Sequence, residues 1–155
     1  MKGLVVYDSV YGNTKMVADA IAEQIRAEGH EAVVQSAKDG MPKKLDADFA
    51  FVGSPTRMAR MTGPAKKFVK KLSKSSWGSK PVCLFDTIMP GVLEQKGRWS
   101  GTAAEKLHEL AREKGLNAHS PVLHTTVTAL KGPLEKDAAD KAKAYVKDFL
   151  TTLHA

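Results

Sequence analysis

A single cysteine in 155 residues excludes an internal disulfide and any metal centre built from clustered thiolates. That residue, Cys83, sits in the apolar run 81–85, where a small buried side chain serves, and it reads as an inert core thiol. Aromatic residues make up only 6% of the chain, and the one within its lysine-rich segment, Phe68, belongs to a helix's buried side, so no nucleic-acid-binding signature is present. No apolar run approaches the roughly 18–20 residues of a membrane span. The chain passes from one lysine directly into a strand-like run, which does not read as a secretory leader. The five histidines, His30, His108, His119, His124 and His154, are scattered without metal-ligand spacing. His124 reads as a structural histidine of a late strand. No residue stands out as a catalytic acid, base or nucleophile. The expectation is a soluble cytoplasmic monomer of one domain, residues 1–155, with no nucleic acid or membrane among its partners.

What the chain does have is positive charge, a formal +7. Lys66, Lys70 and Lys74 recur every fourth residue, with Lys67 and Lys71 beside them, and mark a solvated helix face. An excess of this sign favours partners with acidic docking surfaces.

Strand-like and helix-like segments alternate, which argues for parallel βαβ units. Strands are expected at 3–8, 30–35, 49–53, 81–86 and 120–128. Helices are expected at 13–28, from Gly63-Pro64 onward, at 101–114 and from 135 to the end. The second strand has the weakest pattern and belongs at or near an edge. Right-handed crossovers leave few arrangements, and the expected one is a doubly wound five-stranded parallel sheet of order 2-1-3-4-5 with helices on both faces. Ligands of such sheets bind where the winding reverses, beyond the carboxyl ends of the strands. That rule selects the segments after the first, third and fourth strands.

The first of these carries the strongest signal. A buried strand ends at Ser9, Val10, Tyr11, Gly12, Asn13 and Thr14, and an amphipathic helix begins at once. The unpaired N–H groups of a first helical turn and the helix dipole attract an anion. Ser9, Asn13 and Thr14 add side-chain donors, and Gly12 permits a turn that a β-carbon would hinder. The reading is a phosphate cradle. The other two segments, 53–63 and 86–101, share its richness in Gly, Pro and hydroxyl residues.

Over essentially its whole length the chain resembles the flavodoxin family, whose phosphate loop runs [Thr/Ser]-x-[Thr/Ser]-Gly-Asn-Thr. Ser9, Gly12, Asn13 and Thr14 match it. Tyr11 stands where a small hydroxyl residue is usual, a version that looks like the flavodoxin-like domains of larger A-type flavoproteins. Gly53, Ser54, Pro55 and Thr56 resemble the family's second loop, and Trp99, Ser100 and Gly101 the end of its third. The last strand has no long insertion, as in the short-chain type. The resemblance implies FMN, with Ser9, Val10, Tyr11, Gly12, Asn13 and Thr14 at its phosphate. Ser54, Pro55, Thr56, Arg57 and Met58 would border one side of the isoalloxazine, and Asp86, Thr87, Ile88, Met89, Pro90 and Gly91 the other. It implies an electron carrier between a reductase and an acceptor protein. Two alternatives stay open: an FMN-dependent NAD(P)H:quinone-type reductase, and a binding module of this fold without FMN.

Two departures from the family pattern matter. The second loop has no aromatic to stack on the ring and offers Met58 and Met61, with Met89 in the third loop. Trp99 either approaches the ring or packs against the third helix. Arg57 and Arg60 place positive charge where typical flavodoxins are acidic, which makes reduction to the anionic form less unfavourable. The long segment 91–98 reads as a mobile or partner-contacting excursion.

Overall fold

The computed structural model describes residues 1–153. Six strands, β1 Lys2–Tyr7, β2 Glu31–Ser36, β3 Phe49–Pro55, β4 Pro81–Ile88, β5 Asn117–Ala118 and β6 Leu123–Thr126, form one sheet. All pairings between them are parallel. The order is β2-β1-β3-β4, and the last position is shared by β5 and β6, which both pair with β4. This is the doubly wound order expected. β3 and β4 are near-continuous apolar runs because helices cover both faces, whereas β2 is a half-exposed edge.

The helices are α1 Asn13–Ala27, α2 Gly63–Ser73, α3 Ala103–Glu113 and α4 Ala138–Leu153. Successive strand residues point to opposite faces, so Val5 and Val6 enter different cores. Val6, Val52 and Leu84 pack with Phe68 and Leu72 of α2 and Leu107 of α3. Val5, Phe51 and Phe85 pack with Ile21 and Ile25 of α1 and Val146 and Phe149 of α4. Each such side chain contributes about 1.5–3 kcal/mol on burial. Cys83 lies wholly inside the second core, and burial pushes its thiol pKa well up, which fits an inert thiol. Trp77 is buried with its indole N–H donating to the Lys80 carbonyl at 2.8 Å. The lysines of α2 are all exposed.

Three expectations are corrected. The last strand is two pieces, not one run from 120. His119 N–H still donates to the Val82 carbonyl at 2.8 Å, but Pro121 has no N–H for a ladder, and its carbonyl accepts from the Tyr145 hydroxyl instead. Pairing resumes with Leu123 opposite Phe85. The fourth helix starts at Ala138 rather than 135, because Glu135 N–H is held by the Thr126 carbonyl at 2.8 Å. Its expected last two residues, including His154, lie outside the described ones. β3 and β4 also run two residues further than expected, since Ser54 pairs with Asp86 and Pro55 with Thr87. Gly53 is required in β3: a β-carbon there would lie 2.2 Å from the Phe85 ring.

Candidate functional site

At the carboxyl end of β1 the chain turns through Gly12, whose φ of 92° suits a residue without a β-carbon. Ser9 Oγ closes the turn by accepting from Gly12 N–H at 3.0 Å. The first bond inside α1 runs from Met16 N–H to the Gly12 carbonyl, 3.1 Å. The amides of Asn13, Thr14 and Lys15 therefore find no acceptor among the described residues, although Thr14 is 1% exposed. No side chain caps the helix and no acid occupies its first turn. Free amides, the positive end of a helix dipole and a nearby hydroxyl make this an anion site.

Two side chains expected as ligand donors are engaged elsewhere. Asn13 Nδ2 donates to the Lys131 carbonyl at 3.2 Å and ties α1 to the segment after β6. Thr14 Oγ1 meets Thr87 Oγ1 at 3.1 Å, joining the start of α1 to the end of β4.

Above the turn lies a cleft with about 420 Å³ of space, open to solvent. Ser9, Val10, Tyr11, Asn13 and Thr14 form one wall, Pro55, Thr56 and Arg57 a second, and Thr87, Ile88 and Met89 a third. The structure thus brings together most of the residues expected from the three loops. Val127 and Leu130 add a fourth wall that the sequence reading missed. Lys131 from the same segment holds its ammonium 5.9 Å from the Tyr11 ring centroid. The available signal was the Gly132-Pro133 turn just beyond the last strand.

Other expected residues lie beside or beneath this cleft. Ser54 is buried: its hydroxyl accepts from Thr62 N–H at 2.9 Å and donates to the Pro55 carbonyl at 2.8 Å, which shapes the excursion between them. Asp86 is fully buried under the floor. Its Oδ2 accepts from Ala104 N–H at 2.9 Å and its Oδ1 meets His124 Nδ1 at 2.8 Å. The hydrogen bond to Asp86 raises the His124 pKa above its ordinary value despite partial burial, and the charges of Asp86 and Glu105 add to the effect. Ala103 N–H donates to Thr56 Oγ1 at 2.9 Å, so the first turn of α3 grips both the second wall and the base of the third.

Pro90 and Gly91 lead out of the cleft into short 3-10 turns at Val92–Glu94 and Gly97–Trp99. Trp99 is 44% exposed, with the Arg98 guanidinium 5.0 Å from its ring centroid. Met58, 73% exposed, shares a second depression with Trp99 rather than lining the cleft. It sits at the tip of a tight turn in which Arg57 and Arg60 exchange two backbone hydrogen bonds, 2.9 and 3.0 Å. Met58 and Ala59 adopt φ of 52° and 65° there.

Tyr11 and Arg57 are the only titratable groups in the cleft wall, so the wall supplies no carboxylate, imidazole or thiol for proton transfer or nucleophilic attack. Among the described residues, no cluster of His, Cys, Asp or Glu could hold a metal ion, and no helix is long and apolar enough to cross a membrane.

Comparison with known proteins gives a consistent picture. The family described as flavodoxin domain matches residues 4–114. A flavodoxin of Aquifex aeolicus is 33% identical over 105 residues, covering 64% of this chain and 52% of that protein. An NAD(P)H dehydrogenase (quinone) of Gluconacetobacter diazotrophicus is 32% identical over 88 residues, 43% of this chain and 44% of that one. The chain spans 28% to 52% of the length of the curated relatives it matches. Among solved structures, a flavodoxin from the domain Archaea superposes over 100% of both chains with a TM-score of 0.81 at 28% identity.

Proposed function

The chain belongs to the flavodoxin family, and from that premise we propose that it binds FMN in the cleft and carries electrons from a reductase to an acceptor protein. The observation that carries the reading is the set of acceptor-free amides at Asn13, Thr14 and Lys15, at the foot of a cleft walled on either side by 55–57 and 87–89. This donor set fits the dianionic phosphate of the cofactor, and a slot between two strand ends fits a flat ring. Bound there, FMN supplies one- or two-electron chemistry, and the protein supplies binding, orientation and electrostatics.

The residues divide the work. The amides of 13–15 and the Ser9 hydroxyl hold the phosphate. Pro55, Thr56 and Arg57 would flank one side of the ring, and Thr87, Ile88 and Met89 the other, where the Met89 thioether would stand in for a stacked aromatic residue. Arg57 favours a negatively charged reduced cofactor. Because Arg57 is exposed, its effect is held to less than about 1 kcal/mol, or less than about 40 mV for a one-electron step.

Calorimetry with FMN and with riboflavin, followed by redox titration of the loaded protein, tests the reading. FMN is expected to bind at least about 100-fold more tightly than riboflavin, since charge-assisted bonds to the phosphate contribute about 1.5–3 kcal/mol each. Protein that stays colourless after desalting from excess FMN overturns it. Steady-state oxidation of NADH or NADPH by the loaded protein alone would move the assignment to a reductase, the activity named for the Gluconacetobacter relative.

A further inference from the structure

Beside the cleft, and joined to it through Arg57, lies a second depression formed by Arg57, Met58, Arg60, Met61, Arg98 and Trp99. Its composition is unusual for a solvated surface. Three arginines line it without an acidic partner: no ion pair among the described residues involves any of them. In the contributing segments 56–63 and 92–101, Glu94 is the only acid against Arg57, Arg60, Lys96 and Arg98. Trp99 and Met58 are exposed large apolar side chains at the same place. Exposed Trp, Met and Arg are the residue types that concentrate at the centres of protein interfaces, whereas lysine is depleted there. This separates the patch from the lysine stripe of α2, which has the composition of a merely solvated face.

The backbone adds an independent observation. Two consecutive non-glycine residues, Met58 and Ala59, hold positive φ. That conformation costs of order 1 kcal/mol or more per residue and persists only where surrounding structure enforces it. The turn it creates sets Arg57 and Arg60 on its two arms with Met58 at the tip.

We propose that this patch is the docking surface for the electron-transfer partner, and that the partner is a protein presenting a cluster of carboxylates around its own redox centre. The proposal rests on the FMN reading for its purpose, since contiguity with the cleft would bring the partner's centre close to the flavin. The apolar side chains provide the desolvated centre and the guanidinium groups the register. The three arginines also steer encounter, so association with such a partner falls as salt screens them.

The test uses an acidic plant-type [2Fe–2S] ferredoxin as probe and basic cytochrome c as control, with binding read by calorimetry at low and high salt. The ferredoxin is expected to bind in a salt-sensitive way and cytochrome c not to bind. The double variant Arg60→Ser/Arg98→Ser, which leaves the cleft lining intact, is expected to lose about tenfold or more in affinity for the ferredoxin. Lys70→Ser/Lys74→Ser removes the same charge from the α2 stripe and is expected to lose less than about twofold, as for screened rim charges. Equal losses in the two double variants would mean that net charge alone attracts the probe, and would overturn the patch. No salt-sensitive binding of the ferredoxin would overturn it as well. Because calorimetry does not depend on the flavin, a failure to retain FMN and a failure to dock are separate results.

Discussion

His124 shows how one residue links the floor of the cleft to solution conditions. Its imidazolium faces the fully buried Asp86 carboxylate at 2.8 Å, and Glu105 Oε1 lies 3.7 Å from its other nitrogen. Those carboxylates raise its pKa in the folded chain above the ordinary value of about 6.5 that it keeps when unfolded. A raised folded value means that the stabilisation is fully present below about pH 6.5, the unfolded value, and is lost as the pH climbs from there through the higher folded value. Urea denaturation across this range is therefore expected to show stability declining toward alkaline pH. His124→Gln is expected to be less stable than the parent at acid pH and to flatten this part of the profile. An unchanged pH dependence in that variant would show that His124 does not carry the linkage.

At the scale of elements, the tight turn from Arg57 to Arg60 makes the clearest commitment. Ala59 occupies a left-handed conformation that glycine adopts without penalty. Ala59→Gly is expected to stabilise the chain by up to about 1 kcal/mol, or to leave it unchanged if the loss of the buried methyl offsets the relief. A downward shift of the urea midpoint would show that relief of strain does not govern the turn. The turn also marks what could be read in the sequence. β1, β3 and β4 and the helices were legible because apolar residues recur at periods imposed by burial. The anion-binding turn was legible because Gly12 and its neighbours announce a conformation. Polar character places Ser54 and Thr87 in loops on the sequence alone, yet ladder pairing between β3 and β4 carries them underground. The short piece at 117–118 has no local signal, because His119, Ser120 and Pro121 separate it from the run that begins at Val122. The wall formed by Val127 and Leu130 depends on the tether from Asn13 to Lys131, a contact across more than a hundred positions that no local pattern encodes.

For the whole molecule, the two cores share one sheet, so neither is complete without the other. A single cooperative unfolding transition is expected, with far-UV circular dichroism and the fluorescence of buried Trp77 changing together and a heat-capacity increment of about 2 kcal/mol/K. Separate midpoints would reveal two independently folding layers. The packing of α4 on α1 has a consequence for anyone trimming the protein. The match to the flavodoxin domain stops at residue 114, but the shelter over Ile21 and Ile25 is finished by Val146 and Phe149. A fragment cut there would bare a greasy flank and lack one side of its binding slot.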